Sequence, residues 1–135
     1  MDRSRESAVA PRRLVILGST GSIGRQALEV VAAVPNCELV GLAAGSRVDM
    51  LLEQAAQHGV KQVCLRDAKA AAAAGARAPE LEVLAGEAGV QELVSRAAAD
   101  AAAAGVPLTV LNGIVGAAGL RATMAALDEI GRAHV

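Results

Sequence analysis

The feature that most constrains this chain is a short apolar run ending at the first of three evenly spaced glycines. Residues 14–24 read LVILGSTGSIG. An apolar strand, a tight turn and a helix would follow one another here, and a helix N-terminus offers free backbone N–H groups and about half a positive charge. We expect Gly18 to allow the turn, Gly21 to permit close approach of a pyrophosphate, and Gly24 to let the helix pack on the strand.

Hydroxyl groups surround the same turn. Ser19, Thr20 and Ser22 would add hydrogen-bond donors where the oxygens of a nucleotide would lie. The spacing is G-x-x-G-x-x-G, whereas the common dinucleotide fingerprint is G-x-G-x-x-G. The motif alone therefore leaves an alternative open, in which the glycines serve only the packing of a capped strand–helix turn.

The composition limits both the core and the partners. The 135 residues include no Phe, Tyr or Trp, although 53% are hydrophobic, so the core must consist of Val, Leu, Ile and Ala. Stacking of bases on aromatic side chains is therefore excluded. The net charge of −1 argues against a nucleic-acid partner or an anionic membrane surface. No apolar run is long enough to span a bilayer.

The N-terminal residues and the cysteines indicate where the protein works. Residues 1–12 are rich in arginine and contain no apolar stretch of a secretory signal, so we expect a disordered basic tail before a domain at 13–135. Cys37 and Cys64 lack the spacing of a metal site or a disulfide framework. We therefore expect reduced thiols and a cytoplasmic protein.

Hydrophobic periodicity predicts strands that alternate with helices along the chain. This order predicts an α/β fold, a doubly wound parallel sheet of the Rossmann type. The predicted strands are 14–17, 38–44, 61–65, 81–84 and 108–111; the predicted helices are 23–34, 48–58 and 90–105, with a peripheral helix and loop at 67–78 and a turn at 86–89.

The end of the second strand bears on the choice of cofactor. In dinucleotide folds an acid at this place binds the ribose 2′-OH of NAD, whereas a basic residue accommodates the 2′-phosphate of NADP. Here the strand is followed by Gly45, Ser46 and Arg47, and the first acid is Asp49. This pattern favours NADP. The alternative is a serine that caps the next helix beside an arginine that faces solvent.

A second glycine-rich junction, NGIVGAAGL at 112–120, follows the predicted strand 108–111. Because ligands of parallel sheets gather outside the carboxyl ends of the strands, both junctions can face one site. Together, segments 17–24, 43–47 and 112–120 resemble the N-terminal NADPH-binding domain of 1-deoxy-D-xylulose 5-phosphate reductoisomerase. The resemblance extends over about residues 14–131.

The resemblance implies a set of cofactor-binding residues. Thr20, Gly21, Ser22 and Ile23 would line the phosphates of NADPH, and Gly45, Ser46 and Arg47 would hold the adenosine ribose and its 2′-phosphate. The family converts 1-deoxy-D-xylulose 5-phosphate to 2-C-methyl-D-erythritol 4-phosphate, an isoprenoid precursor of the non-mevalonate pathway. It uses NADPH and a divalent metal, Mg or Mn.

The family's Ala-Asn-Lys-Glu-Ser segment and metal-binding carboxylates have no counterpart in this chain. We therefore expect no catalytic and no metal-binding residue here, a sheet that is incomplete at its C-terminus, and an inactive fragment of an enzyme that is a homodimer at full length. Two alternatives remain from the sequence. One is a stand-alone dinucleotide-binding regulatory module without catalysis, and the other is a different dehydrogenase, such as a semialdehyde or dihydrodipicolinate reductase.

Overall fold

The structure, a computed structural model, describes residues 11–113. Strands and helices alternate throughout this range, as the periodicity predicts. The elements are β1 (Arg12–Leu17), α1 (Ser22–Ala33), β2 (Cys37–Ala44), α2 (Val48–His58), β3 (Gln62–Leu65), α3 (Ala68–Arg77), β4 (Glu82–Ala85), α4 (Gly86–Ala104) and β5 (Leu108–Asn112). No helix in this part of the chain has the length and apolar character needed to cross a membrane.

All the strands that the structure describes form one parallel sheet in the order β4-β3-β2-β1-β5. The chain runs outward from β1 to β4 and then crosses back to place β5 on the other side of β1. The strand order therefore reverses between β1 and β5. In open α/β sheets this switch point, at the carboxyl ends of the strands, is where ligands bind. The predicted α/β fold with a doubly wound sheet is confirmed.

Helices cover both faces of the sheet, so successive side chains of β1 are buried on opposite sides. Leu14 and Ile16 pack in the layer beneath α1, α2 and α3, and Val15 and Leu17 pack in the layer beneath α4. Burial on both faces explains why the strands read as continuous apolar runs. The core consists of aliphatic residues and alanine, as the composition requires.

The turn predicted at residues 86–89 is wrong, because α4 begins there. Only Gly86 has a turn conformation, with φ of 76°. Gly89 lies in the first turn of the helix, where an added Cβ would be 2.9 Å from Cys64 Sγ and 3.2 Å from Leu84 carbonyl carbon. This glycine therefore lets α4 lie directly on β3 and β4, a packing role that has no local signal in the sequence.

The alanine-rich segment forms the predicted helix but belongs to the core rather than its periphery. The Asp67 side chain caps α3 by accepting a hydrogen bond of 2.9 Å from the Ala70 backbone N–H. Ala70, Ala71 and Ala74 are buried against the layer beneath α2. Alanines allow this close approach of a helix to the sheet, and the helix continues through Gly75.

The division into a tail at 1–12 and a domain at 13–135 stays a prediction, although the first strand begins one residue before that boundary. Arg12 is the first residue of β1, and its backbone N–H donates to the Asn36 carbonyl at 2.8 Å. Its guanidinium also donates to Thr109 Oγ1 at 3.1 Å. The rest of the predicted tail, residues 1–10, lies outside the described residues. The spacing of Leu120, Met124 and Leu127 predicts a helix after the second glycine junction, and this segment also lies outside the described residues.

Candidate functional site

The glycine-rich loop between β1 and α1 is held tightly against the end of β2. Gly18 has a φ of 77°, a conformation that favours glycine, and the backbone N–H groups of Gly18 and Ser19 both donate to the Ala43 carbonyl, at 2.7 and 3.0 Å. A Cβ on Gly24 would lie 2.1 Å from the Gly18 carbonyl oxygen. The predicted roles of Gly18 in the turn and of Gly24 in packing are therefore confirmed.

The N-terminus of α1 is open to a ligand. Gly21 is the N-cap residue, no side chain caps the helix there, and the first turn contains no acid. Gly21 is exposed in an extended conformation, and a Cβ added to it would meet only the Gly18 oxygen, at an ordinary 3.6 Å. The fold therefore does not require glycine at this position, and the unpaired N–H groups of the first turn fit an anionic group.

The hydroxyl groups of the loop differ in accessibility. Ser22 is exposed, Ile23 beside it is half-buried, and Thr20 is 8% exposed. Ser19 is fully buried, and its hydroxyl has no hydrogen-bond partner within the described range. The expectation that the Ser19 hydroxyl reaches a nucleotide is therefore wrong, because the loop turns this side chain into the protein interior.

The segment after β2 presents an arginine to solvent beside the glycine-rich loop. Gly45 is fixed by its carbonyl, which accepts a hydrogen bond of 2.9 Å from the Asp67 backbone N–H. Ser46 and Arg47 are exposed. Arg47, not Ser46, is the N-cap residue of α2, and its side chain makes no capping hydrogen bond. The interpretation of Ser46 as a capping serine is therefore wrong.

The charged groups around this segment form two arginine–carboxylate pairs. The carboxylate of Asp49, the first acid after β2, pairs with Arg77 of α3. Arg66, which follows β3, borders Gly45: its Nη2 would lie 3.7 Å from a Cβ on that glycine. Arg66 also pairs with Glu87 at 3.6 Å. Sequence reasoning missed Arg66. The available signal was a positively charged residue directly after a predicted buried strand.

The two glycine-rich junctions meet at the switch point of the sheet. The Gly113 backbone N–H donates to the Leu17 carbonyl at 2.8 Å. A Cβ on Gly113 would lie 3.3 Å from the Gly24 nitrogen in the first turn of α1. The first residues of the second motif therefore lie beside the first junction, and a ligand site shared by both junctions stays a prediction. Residues 114–120 lie outside the described range.

A buried amide links α2 to the glycine-rich loop. Gln54 Nε2 donates to the Ser19 carbonyl at 2.9 Å, and Gln54 is 7% exposed. Sequence reasoning missed this residue. The available signal was a polar side chain between Leu51 and Ala55, on the apolar stripe of the predicted helix.

A sequence profile described as 1-deoxy-D-xylulose 5-phosphate reductoisomerase matches residues 14–132 of the chain. The chain belongs to this family. A reductoisomerase of Mycobacterium marinum is 55% identical over 67 residues, which are 48% of this chain and 17% of that protein. Another, from Leifsonia xyli subsp. xyli, is 62% identical over 55 residues, 40% of this chain and 15% of that protein. The aligned parts thus span about one-sixth of the length of these relatives.

Solved structures of the family have the same fold. A DOX-P reductoisomerase in complex with NADPH, fosmidomycin and magnesium is 34% identical, with a TM-score of 0.66 over 85% of this chain and 27% of that chain. A complex with magnesium gives a TM-score of 0.67 at 34% identity over 87% of this chain and 28% of that chain. The Zymomonas mobilis reductoisomerase in complex with NADPH, at 24% identity and a TM-score of 0.57 over 62% of this chain and 23% of that chain, shares the fold.

Proposed function

We propose that this chain is the NADPH-binding part of a 1-deoxy-D-xylulose 5-phosphate reductoisomerase, an enzyme that forms 2-C-methyl-D-erythritol 4-phosphate for isoprenoid synthesis. The observation that carries the proposal is the uncapped N-terminus of α1 at the switch point, where Gly21 leaves room for a pyrophosphate and Gly113 closes against Gly24. Family membership supports it, as does the NADPH complex of the related structure. The stand-alone regulatory module has no comparable support, since the relatives reported above are all reductoisomerases.

In this proposal the residues of the chain bind and orient the cofactor, and NADPH supplies the hydride when bound. The segment formed by Thr20, Gly21, Ser22 and Ile23 would line the pyrophosphate. The N–H groups of Thr20, Ser22 and Ile23 would be its donors, because the Gly21 N–H donates to the Gly18 carbonyl at 3.2 Å. The segment Gly45, Ser46 and Arg47 surrounds the adenosine ribose. The positive end of α1 favours the negative charge of the phosphates.

The surroundings of Arg47 and Asp49 support a preference for NADPH over NADH. Arg47 is exposed and makes no ion pair with a described residue, so its guanidinium is available for a 2′-phosphate. The carboxylate of Asp49 pairs instead with Arg77. A negative group that would repel the 2′-phosphate is thereby partly neutralised.

The remaining parts of the proposal concern the whole enzyme. Its substrate is a phosphosugar, it uses a divalent metal, Mg or Mn, and it works as a homodimer without nucleic acid or membrane. None of the residues 11–113 is assigned to the metal; within this range no three His, Cys, Asp or Glu side chains lie together as a metal site. Cys37 and Cys64 are free thiols, the usual state in the cytoplasm, where we place the enzyme.

The test is the binding of NADPH to the chain and to Gly21→Val. Because the chain contains no aromatic residue, the fluorescence of the nicotinamide reports binding without a protein background. We expect the wild-type chain to bind NADPH. Gly21→Val should abolish binding by filling the approach to the helix N-terminus, while the thermal midpoint stays close to that of the wild type, because a Cβ has room there.

Gly75→Val is the matched control, since a Cβ on Gly75 of α3 meets no atom within 4 Å and lies on another element. It should bind NADPH like the wild type. Binding that survives Gly21→Val would show that the glycine-rich loop serves the fold alone, and the proposal would fail.

A further inference from the structure

The burial of the Gln54 side chain lowers the stability of the fold. Its side chain is buried on α2 between Leu51 and Ala55, and its Nε2 donates to the Ser19 carbonyl at 2.9 Å. Because a carbonyl oxygen only accepts, the amide nitrogen must face it. The amide oxygen, Oε1, then points into the interior without a partner among the described residues. Burying an unpaired acceptor costs stability, so an apolar side chain would suit the core at least as well.

The hydrogen bond from Gln54 completes the fixation of the loop. The Ser19 N–H already donates to the Ala43 carbonyl of β2, at 3.0 Å, so both backbone polar groups of Ser19 are held. In a trans peptide the carbonyl and the following N–H point in opposite directions. With the Ser19 carbonyl turned toward α2, the Thr20 N–H is turned away from α2, immediately before the exposed Gly21.

The position of Gln54 on α2 also joins the two cofactor segments. Arg47 is the N-cap residue of this helix, and Gln54 lies two turns further along it. A single rigid element therefore carries the arginine proposed for the 2′-phosphate and the amide that holds the phosphate loop.

We propose that Gln54 is a positioning residue for the dinucleotide, one that presets the loop 18–21 for the pyrophosphate. This inference rests on the proposed NADPH site. The pyrophosphate is common to NADPH and NADH, so the contribution of Gln54 is the same for both cofactors, whereas that of Arg47 concerns NADPH alone.

The decisive variant is Gln54→Met, which keeps the length of the side chain, removes the donor and also removes the unpaired Oε1. The two changes act against each other in stability, so the thermal midpoint should shift little. The dissociation constants for NADPH and NADH, measured well below that midpoint, should rise by the same factor, roughly three- to thirtyfold. Arg47→Ala should raise the dissociation constant for NADPH and leave that for NADH unchanged. Gln57→Met, an exposed site on the same helix, is the control and should change neither.

Gln54→Glu provides a second variant that is independent of the packing of methionine. A carboxyl group donates only when it is protonated, and burial beside a carbonyl raises its pKa. The binding of NADP⁺, which tolerates acid, should therefore recover in Gln54→Glu as the pH is lowered, and it should show no such recovery in Gln54→Met.

Wild-type affinity for both dinucleotides in Gln54→Met, or a loss confined to NADPH, would overturn the inference. A wild-type chain that binds neither dinucleotide contradicts the proposed function instead. In that case the effect of Gln54 on the loop is measured by NMR, from the backbone amide resonances of the ligand-free chain. Apart from the shifts next to position 54, changes at residues 19–21 in Gln54→Met would support a held loop, and unchanged resonances at 19–21 would refute it.

Discussion

The proposed preference for NADPH over NADH depends on two single residues, Arg47 and Asp49. They lie two residues apart and carry opposite charges. Arg47→Ala removes the exposed guanidinium proposed for the 2′-phosphate. We expect NADPH binding to weaken by about 1–3 kcal/mol, or roughly five- to a hundredfold, because a hydrogen bond to a charged group is lost. NADH binding should hardly change. Titration calorimetry with both cofactors measures this, and equal losses would contradict the assignment to the 2′-phosphate.

The substitution Ser19→Ala tests whether the buried hydroxyl of Ser19 contributes to NADPH binding. Its buried hydroxyl has no partner in the described part of the chain, so Ser19→Ala removes an unsatisfied polar group at little loss of packing. We expect the free energy of unfolding to stay constant or rise by about 1 kcal/mol, with NADPH affinity unchanged. Urea unfolding and a fluorescence titration check both. Weaker NADPH binding would instead mean that this hydroxyl serves the cofactor.

These residues also show what the sequence reveals at this scale. The roles of Gly18 and Gly24 could be predicted, because a strand, a turn and a helix in that order require glycine at fixed places. The direction of the Ser19 side chain could not, since no periodicity sets the orientation of a loop residue. Gln54 was hidden for another reason: its partner is a backbone carbonyl 35 residues away in the chain.

At the scale of elements, the helices and strands could largely be predicted because burial on both faces gives the strands continuous apolar runs and the helices their 3.6-residue period. The start of α4 was not predicted, because a glycine in a sequence suggests a turn. It does so both where it turns the chain and where it lies in a helix that packs closely on a strand. Gly89 is of the second kind, because a Cβ added there would come within 3.2 Å of Cys64 and Leu84. Only the packing of elements distant in sequence distinguishes the two.

Gly89→Ala tests this packing role. The added methyl group would meet Cys64 Sγ at 2.9 Å and Leu84 at 3.2 Å, so α4 must shift away from β3 and β4. We expect a destabilisation of about 1–3 kcal/mol in urea unfolding. Gly75→Ala in α3 is the matched control and should stabilise by up to about 1 kcal/mol, because that site is open and alanine favours helix. A neutral Gly89→Ala would show that α4 adjusts freely on the sheet.

At the scale of the whole molecule, the chain has no aromatic residue, and its core consists of small and aliphatic side chains in close contact between the sheet and its helices. Cys64 lies at the centre of this contact, fully buried on β3 beneath α4, where its thiol donates to the Gly86 carbonyl at 3.6 Å. Burial, with a smaller contribution from Glu87, raises the pKa of this thiol from 9.0 to about 11, although Arg66 acts in the opposite direction. The folded protein therefore keeps this proton at a pH at which the unfolded chain has lost it.

This difference makes global stability depend on alkaline pH in a direction that can be worked out. The unfolded thiol ionises near its ordinary pKa and the folded one only near 11, so stability is fully present below about pH 9 and is lost as the pH rises towards 11. The full shift corresponds to up to about 2–3 kcal/mol. Urea unfolding from pH 8 to pH 11 should therefore show a steeper decline for the wild type than for Cys64→Ala. Removing the thiol sulfur costs packing at every pH, but every other residue is the same in both proteins, so the difference between their pH profiles isolates Cys64. Parallel profiles would mean that the thiol ionises within the folded sheet as easily as in water, and that α4 does not seal it.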